Sequence, residues 1–115
     1  MAGKVRFTCD TLKMTATLNN TKTAAAVLAS LPVDGLAQTM GGWVYFSVPL
    51  TLEEENAVEE VSSGMVAYWP ASSAVCIFFG GQPPTPVNII GSLNGNAMQW
   101  RDAVFGADIK AEKAQ

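Results

Sequence analysis

Residues 4–9 alternate cleanly: Val5, Phe7 and Cys9 fall on one side of an extended chain, and Lys4, Arg6 and Thr8 on the other. A period of two belongs to a strand with one buried face. After an Asp10-Thr11 turn, Met14, Ala16 and Leu18 alternate with Lys13, Thr15 and Thr17, which predicts a first hairpin with an apolar inner face. The period then changes. Ala24, Val27, Leu28 and Leu31 recur three and four apart, one stripe of a helix. Asn20 or Thr21 can cap its first amides, the Ala-rich stretch from Thr23 to Ala29 favours it, and Pro32 stops it.

Beyond Asp34-Gly35 a short segment runs to Gly41-Gly42. Val44, Phe46, Val48 and Leu50 then alternate with Trp43, Tyr45 and Ser47, so the start of this strand is apolar on both faces. One face serves an interior. Trp43 and Tyr45 must meet a second layer, a ligand or another subunit. Strands are also predicted over Met65 to Trp69, broken by Pro70, and Val75 to Phe79, with Ser72-Ser73 turning the chain between them. Gln82 to Pro86 is too proline-rich for a central strand. Val87 to Leu93 is a further strand, ended by the Asn94-Gly95 turn. Ala97, Trp100, Arg101 and Val104 predict a second short helix, with Asn94 or Asn96 near its start and Gly106 past its end, and Ala107 to Glu112 a closing strand. No repeat or linker interrupts the order, so residues 1–115 are read as a single domain. Its class is mainly β, with a closed barrel favoured over a sandwich because closure removes exposed edges and leaves two helices to plug the ends.

Composition narrows the partners. The 115 residues are 49% hydrophobic and 15% charged, enough apolar surface for one core. The formal net charge is −3, and the seven basic residues are scattered along the chain, which argues against nucleic acid and against an anionic membrane surface. The N-terminus enters a strand directly without the apolar stretch of a signal peptide, and no apolar run approaches the ~20 residues of a membrane helix, so the expected location is the cytoplasm. Cys9 and Cys76 are read as buried thiols in a reducing compartment.

No motif discloses a reaction. The chain has no histidine, so neither cysteine nor Ser72, Ser73 or Thr85 has the usual base. The acidic run from Glu53 to Glu60 is read as a solvated face, because consecutive glutamates on an extended segment diverge and chelate poorly. Gly41-Gly42 and Gly80-Gly81 lack phosphate-loop spacing and are read as turns. No catalytic residue, metal ligand or cofactor is assigned. The leading chemical feature is the set of aromatics Trp43, Tyr45, Tyr68, Trp69, Phe78 and Phe79, which alternate between the two faces of neighbouring strands. Those facing outward either pack under a covering element or line a groove for a small molecule or a proline-containing peptide. Arg6, Trp43, Tyr45, Tyr68, Trp69, Phe79 and Thr85 are the candidate ligand-binding residues.

The block Gly64-Met65-Val66-Ala67-Tyr68-Trp69-Pro70 and Ala74-Val75-Cys76-Ile77-Phe78-Phe79-Gly80 resembles a family of small uncharacterised prokaryotic proteins with a cyclophilin-like fold. Pro84-Thr85-Pro86 and the strand Pro86-Val87-Asn88-Ile89-Ile90-Gly91 fit the same order, as do the opening hairpin, the helix ending in Leu31-Pro32, and Tyr45-Phe46. The resemblance covers nearly the whole chain and implies a barrel of about eight mostly antiparallel strands with two short helices. It implies no known activity. Two departures stand out: Gly81-Gln82-Pro83 separates the Phe-Gly from the Pro-Thr-Pro that tends to follow it directly, and Gly41-Gly42-Trp43-Val44 lacks the acidic residue the family tends to place before Tyr-Phe. True cyclophilins are prolyl isomerases that use an arginine with a nearby histidine, and the Phe-His-Arg stretch is missing here. Three readings follow: a non-catalytic binding module with an aromatic surface groove, a weak prolyl isomerase using Arg6 or Arg101, and a homo-oligomer joined through its outer aromatics.

Overall fold

A computed structural model describes residues 3–103 and 106–114. Its strands are β1 (Lys4–Cys9), β2 (Leu12–Leu18), β3 (Val33–Leu36), β4 (Gln38–Met40), β5 (Trp43–Ser47), β6 (Met65–Trp69), β7 (Ala74–Phe78), β8 (Asn88–Leu93) and β9 (Asp108–Ala114). Helix α1 (Lys22–Ser30) follows β2, and a 3-10 helix (Ala97–Asp102) follows β8. The strands form one antiparallel sheet in the order β3-β9-β1-β2-β8-β6-β7-β5-β4.

The two ends of that order are neighbours in sequence, since only Ala37 separates β3 from β4. Ala37 donates to the Ala107 carbonyl (2.8 Å) and accepts from the Gly106 amide (2.7 Å), which holds the bend between β9 and β5. One bent segment thus pairs with β9 through its first half and with β5 through its second, and the sheet becomes a nearly closed barrel. The nine strands among the described residues therefore match the expected barrel of about eight, with one strand counted in two pieces. Closure leaves little unpaired edge, the advantage that made a barrel the expected solution.

The alternating positions of the opening hairpin fill the barrel as predicted: Val5, Phe7, Met14, Ala16 and Leu18 are buried. Phe7 meets the Phe46 ring edge-to-face at 6.1 Å and Trp100 at 6.2 Å. Trp100 comes from the 3-10 helix, is fully buried, and donates its indole N–H to Met14 Sδ at 3.4 Å. Helix α1 contributes Ala24 and Val27 to the same cluster. Each fully buried side chain of this size stabilises the fold by about 1.5–3 kcal/mol. The core is thus a solid interior fed by both helices.

Local chemistry sets the ends of the elements. Thr21 caps α1 by accepting from the Ala24 amide at 3.1 Å, one of the two caps expected. Asn96 caps the 3-10 helix by accepting from Met98 at 3.0 Å. That element is a tighter six-residue turn, and its predicted apolar residue Val104 lies outside the described residues. Strand β9 runs past Glu112 to Ala114, because its pairing with β1 continues to Lys4. The two Gly-Gly turns pack on each other: the Gly42 carbonyl accepts from both Phe79 and Gly81 at 2.9 Å. Gly42 has φ +100°, and a Cβ there would collide with the Gly81 backbone, so this position requires glycine.

Candidate functional site

Strands β4, β5, β7, β6 and β8 form one wall of the barrel. On its outer face the register places Trp43 opposite Phe78, Tyr45 opposite Cys76, Cys76 opposite Ala67, and Trp69 opposite Ala74. Ala74 and Cys76 of the central strand β7 thus lie between the large rings of β5 and β6, with Phe78 at the end of β7 beside Trp43. The rings lean inward over Ala74 and Cys76, so Tyr45 of β5 and Trp69 of β6 touch across the intervening β7, edge-to-face at 5.3 Å. Trp43 joins them at 5.0 Å from Tyr45 and 5.3 Å from Trp69, and stacks on Phe78 at 5.3 Å. Offset and edge-to-face contacts at these spacings are the favourable ones for aromatic quadrupoles.

Two irregular segments cover most of this face. Val58 and Val87 exchange backbone hydrogen bonds of 2.9 Å, which ties the acidic segment to the proline-rich one. The Gln82 amide clasps Val61 from both sides, accepting from its N–H (2.8 Å) and donating to its carbonyl (2.9 Å). Val61 and Val87 bury themselves against Ala67, Cys76, Phe78 and Trp43 as a second, outer apolar cluster. The second layer that Trp43 and Tyr45 required is therefore largely the chain itself. The cover stops short of two rings: Trp43 is 2% exposed, whereas Tyr45 and Trp69 are only half-buried. Trp69 is fixed by its indole N–H, which donates to the Thr85 hydroxyl at 2.6 Å.

The candidate residues divide accordingly. Trp43, Tyr45, Trp69 and Thr85 come together on the outer wall. Tyr68 points the other way. It is fully buried, its hydroxyl donating to the Leu50 carbonyl (2.7 Å) and accepting from the Leu52 amide (3.0 Å), so it anchors the chain after β5 and faces no groove. Phe79 packs against the interior cluster. Arg6 lies on β1, separated from β6 by β2 and β8, about 14 Å along the wall at ordinary strand spacing. It faces Glu112 at 4.0 Å, in a half-exposed pair of little energetic weight. The parity of each strand allowed these divisions, but sequence alone left open which parity faced inward.

The acidic segment contains a residue that the solvated-face reading missed. Both Glu55 oxygens accept from the start of α1: from the Thr23 hydroxyl (2.7 Å) and amide (2.8 Å), and from the Lys22 amide (3.1 Å). The Glu55 amide donates to Asn88 Oδ1 at 2.9 Å, and the buried Asn88 donates in turn to Thr23 Oγ1 and to the Glu53 carbonyl. The hydrogen bonds from Thr23, and then from Lys22, hold the Glu55 carboxyl below its ordinary range. The available signal was α1 itself, which has no acidic residue in its first turn and so leaves early amides needing an outside acceptor. Among the described residues no three His, Cys, Asp or Glu side chains converge as a metal site. Cys9 and Cys76 are both buried and unpaired, and burial pushes the Cys76 thiol upward.

The Cyclophilin-like family model matches residues 3–112. The chain belongs to this family. The solution structure of the hypothetical protein AF2241 from Archaeoglobus fulgidus superposes on the Cyclophilin-like domain with a TM-score of 0.84 and 27% identity, covering 98% of this chain and 95% of that one. McbB in complex with tryptophan superposes with a TM-score of 0.72 at 13% identity, covering 94% of this chain but 44% of McbB, a likeness of fold alone. No curated protein matches the chain. Among the described residues of the Cyclophilin-like domain, no helix is long and apolar enough to cross a membrane.

Proposed function

We propose that this Cyclophilin-like domain is a non-catalytic binding module whose contact surface is the rim formed by Tyr45 and Trp69, and that its ligand is an extended, proline-containing peptide. The observation that carries this reading is the way the wall already treats proline-rich chain. Thr85, within Pro83-Pro84-Thr85-Pro86, accepts from the Trp69 indole N–H, and the Trp69 ring stays half-buried. Accessible aromatic rings suit polyproline-like peptides, which arrive with little conformational entropy to lose, while the Thr85 bond holds the Trp69 ring in place. The chain offers no histidine, and both thiols are buried, so the surface is suited to holding a ligand rather than to attacking one.

Titration with Pro-Pro-x-Pro peptides, followed by tryptophan fluorescence, tests this reading. A saturable change that is lost in Trp69→Ala supports it, and an unchanged spectrum for every peptide removes it. The isomerase alternative places an arginine beside the bound proline. Arg6 stands three strands from Trp69, and Arg101 is exposed on the 3-10 helix, so neither supports that step at this rim.

A second reading, self-association, draws on a separate observation. Leu36 and Met40 are 54% and 48% exposed, and Met40 lies opposite Trp43 in the register of β4 and β5. They extend the apolar character of the rim across β4. A dimer in light scattering that dissociates in Met40→Lys favours this reading, and a monomer at all concentrations removes it.

A further inference from the structure

The basic residues that are scattered in sequence are gathered by the fold. Lys4, Arg6, Lys13 and Lys110, four of the chain's seven, all face outward from the three adjacent strands β9, β1 and β2. The register puts Thr8 between Lys13 and Lys110, and Arg6 between Thr15 and Glu112. Five of the ten acidic residues lie instead on the segment from Glu53 to Glu60, whose valines cover the β5–β7–β6–β8 wall. The same face carries Asp108 and Glu112 on β9, and Asp34 of β3 lies opposite Lys110, so uncompensated positive charge is confined to the β1–β2 side, at Arg6 and Lys13.

Part of the basic face is also concave. The turn after β8 borders β1 and β2, and the open cleft between them, of about 400 Å³, is lined by residues that include Arg6, Lys13, Thr15, Asn94, Asn96 and Gln99. Both charged residues of that lining are cations, and Glu112 faces Arg6 Nη1 at 4.0 Å from the β9 side. The polar network leaves a donor available. The Thr17 hydroxyl donates to Asn94 Oδ1 (3.1 Å), and Asn94 Nδ2 donates to Thr15 Oγ1 (3.3 Å). Since Thr15 accepts from Asn94, its own hydroxyl proton is free for another partner. A guanidinium, an ammonium and a hydroxyl thus line one open cleft.

We infer that this cleft between β1, β2 and the Asn94–Gln99 turn binds a small anion carrying a phosphate or carboxylate group. Arg6 supplies the planar fork that matches either group, Lys13 a mobile point charge, and Thr15 a neutral donor. The size of the cleft suits a metabolite-sized molecule, and this site is independent of the aromatic rim.

The test is an amide-resolved NMR titration of the full chain in physiological chloride, with inorganic pyrophosphate and succinate as separate probes. The expected result is saturable shifts centred on Arg6, Lys13, Thr15 and Gln99 for at least one probe. Affinity should weaken about ten-fold in Arg6→Gln or Thr15→Val and stay within about two-fold in Lys110→Gln. Saturation by pyrophosphate alone assigns the phosphate class, and by succinate alone the carboxylate class. Two results would overturn the inference: no saturation with either probe up to about 10 mM, or linear shifts spread over Lys4 and Lys110 that persist in Thr15→Val. Thr15→Val keeps every charge, so it separates a built site from a merely cationic surface.

Discussion

The indole N–H of Trp69 donates to the Thr85 hydroxyl across 2.6 Å, joining the end of β6 to the proline-rich segment that crosses the outer wall. This bond sets the direction of the Trp69 ring and so decides which part of it remains accessible. Replacing Thr85 by Val keeps the shape and removes the acceptor. The expected outcome is a loss of about 0.5–1.5 kcal/mol in urea denaturation, with Trp69 more readily quenched by acrylamide. An unchanged stability and quenching profile would mean that the bond holds nothing in place.

Glu55 supplies a pH dependence whose sign is fixed by its hydrogen bonds. Its carboxyl is held below its ordinary value in the folded chain by Thr23 and Lys22. Its stabilising contribution is therefore fully present above the ordinary glutamate value of 4.5 and is lost as pH falls through the depressed native value. Wild type should exceed Glu55→Gln in urea midpoint at pH 7, and the gap should close under more acidic conditions as wild type loses the charge. Denaturation curves of both proteins across this range check the prediction. A gap that stays constant with pH would assign the effect to shape instead of charge.

Much of the barrel was legible because its opening strands have only one buried face. Val5, Phe7 and Cys9, then Met14, Ala16 and Leu18, name the interior by alternation alone, and Thr21 and Pro32 bracket α1. The outer wall was harder to read. Both faces of β7 are buried, one by the barrel and one by the cover, so its pattern carries no period to say which ring points where. The role of Glu55 was illegible for a related reason: its partners lie more than thirty residues away, at amides whose need depends on the fold. The basic face was hidden by strand order, since β9 joins β1 only in the closed sheet.

Tyr68 separates a polar anchor from an aromatic contact. Tyr68→Phe keeps the ring and removes the hydroxyl shared by Leu50 and Leu52. The expected cost is about 1–3 kcal/mol from the two backbone groups left without that partner, with no change in ligand affinity at the outer rim. Chemical denaturation and peptide titration of the same sample measure both. A weakened peptide affinity in a stable variant would place Tyr68 in the binding surface.

Trp100 plugs the barrel interior and touches Phe7. Truncation by Trp100→Ala removes that contact and opens a cavity, with an expected loss of about 3–5 kcal/mol in chemical denaturation. A loss under about 1 kcal/mol would show that the 3-10 helix contributes little to the core.

The two thiols provide a test of packing that needs no mutation. Both Cys9 and Cys76 are buried, and burial raises the thiol of each, with the Asp10 and Asp108 carboxylates adding to the effect at Cys9. Thiolate is the reactive form, so neither should react with a disulfide reagent at pH 8 until denaturant is added. Rapid labelling of Cys76 in the native protein would mean that the cover over the outer wall opens readily.

The proposed contact surface is tested most directly by the three tryptophan indole N–H resonances, observed by NMR while a Pro-Pro-x-Pro peptide is added. Trp43 and Trp100 are buried, and Trp69 stands at the rim. The account predicts a saturable shift of the Trp69 indole resonance with Trp100 unmoved. Indole resonances that all stay fixed through millimolar peptide, or a shift at Trp100 without one at Trp69, would contradict it.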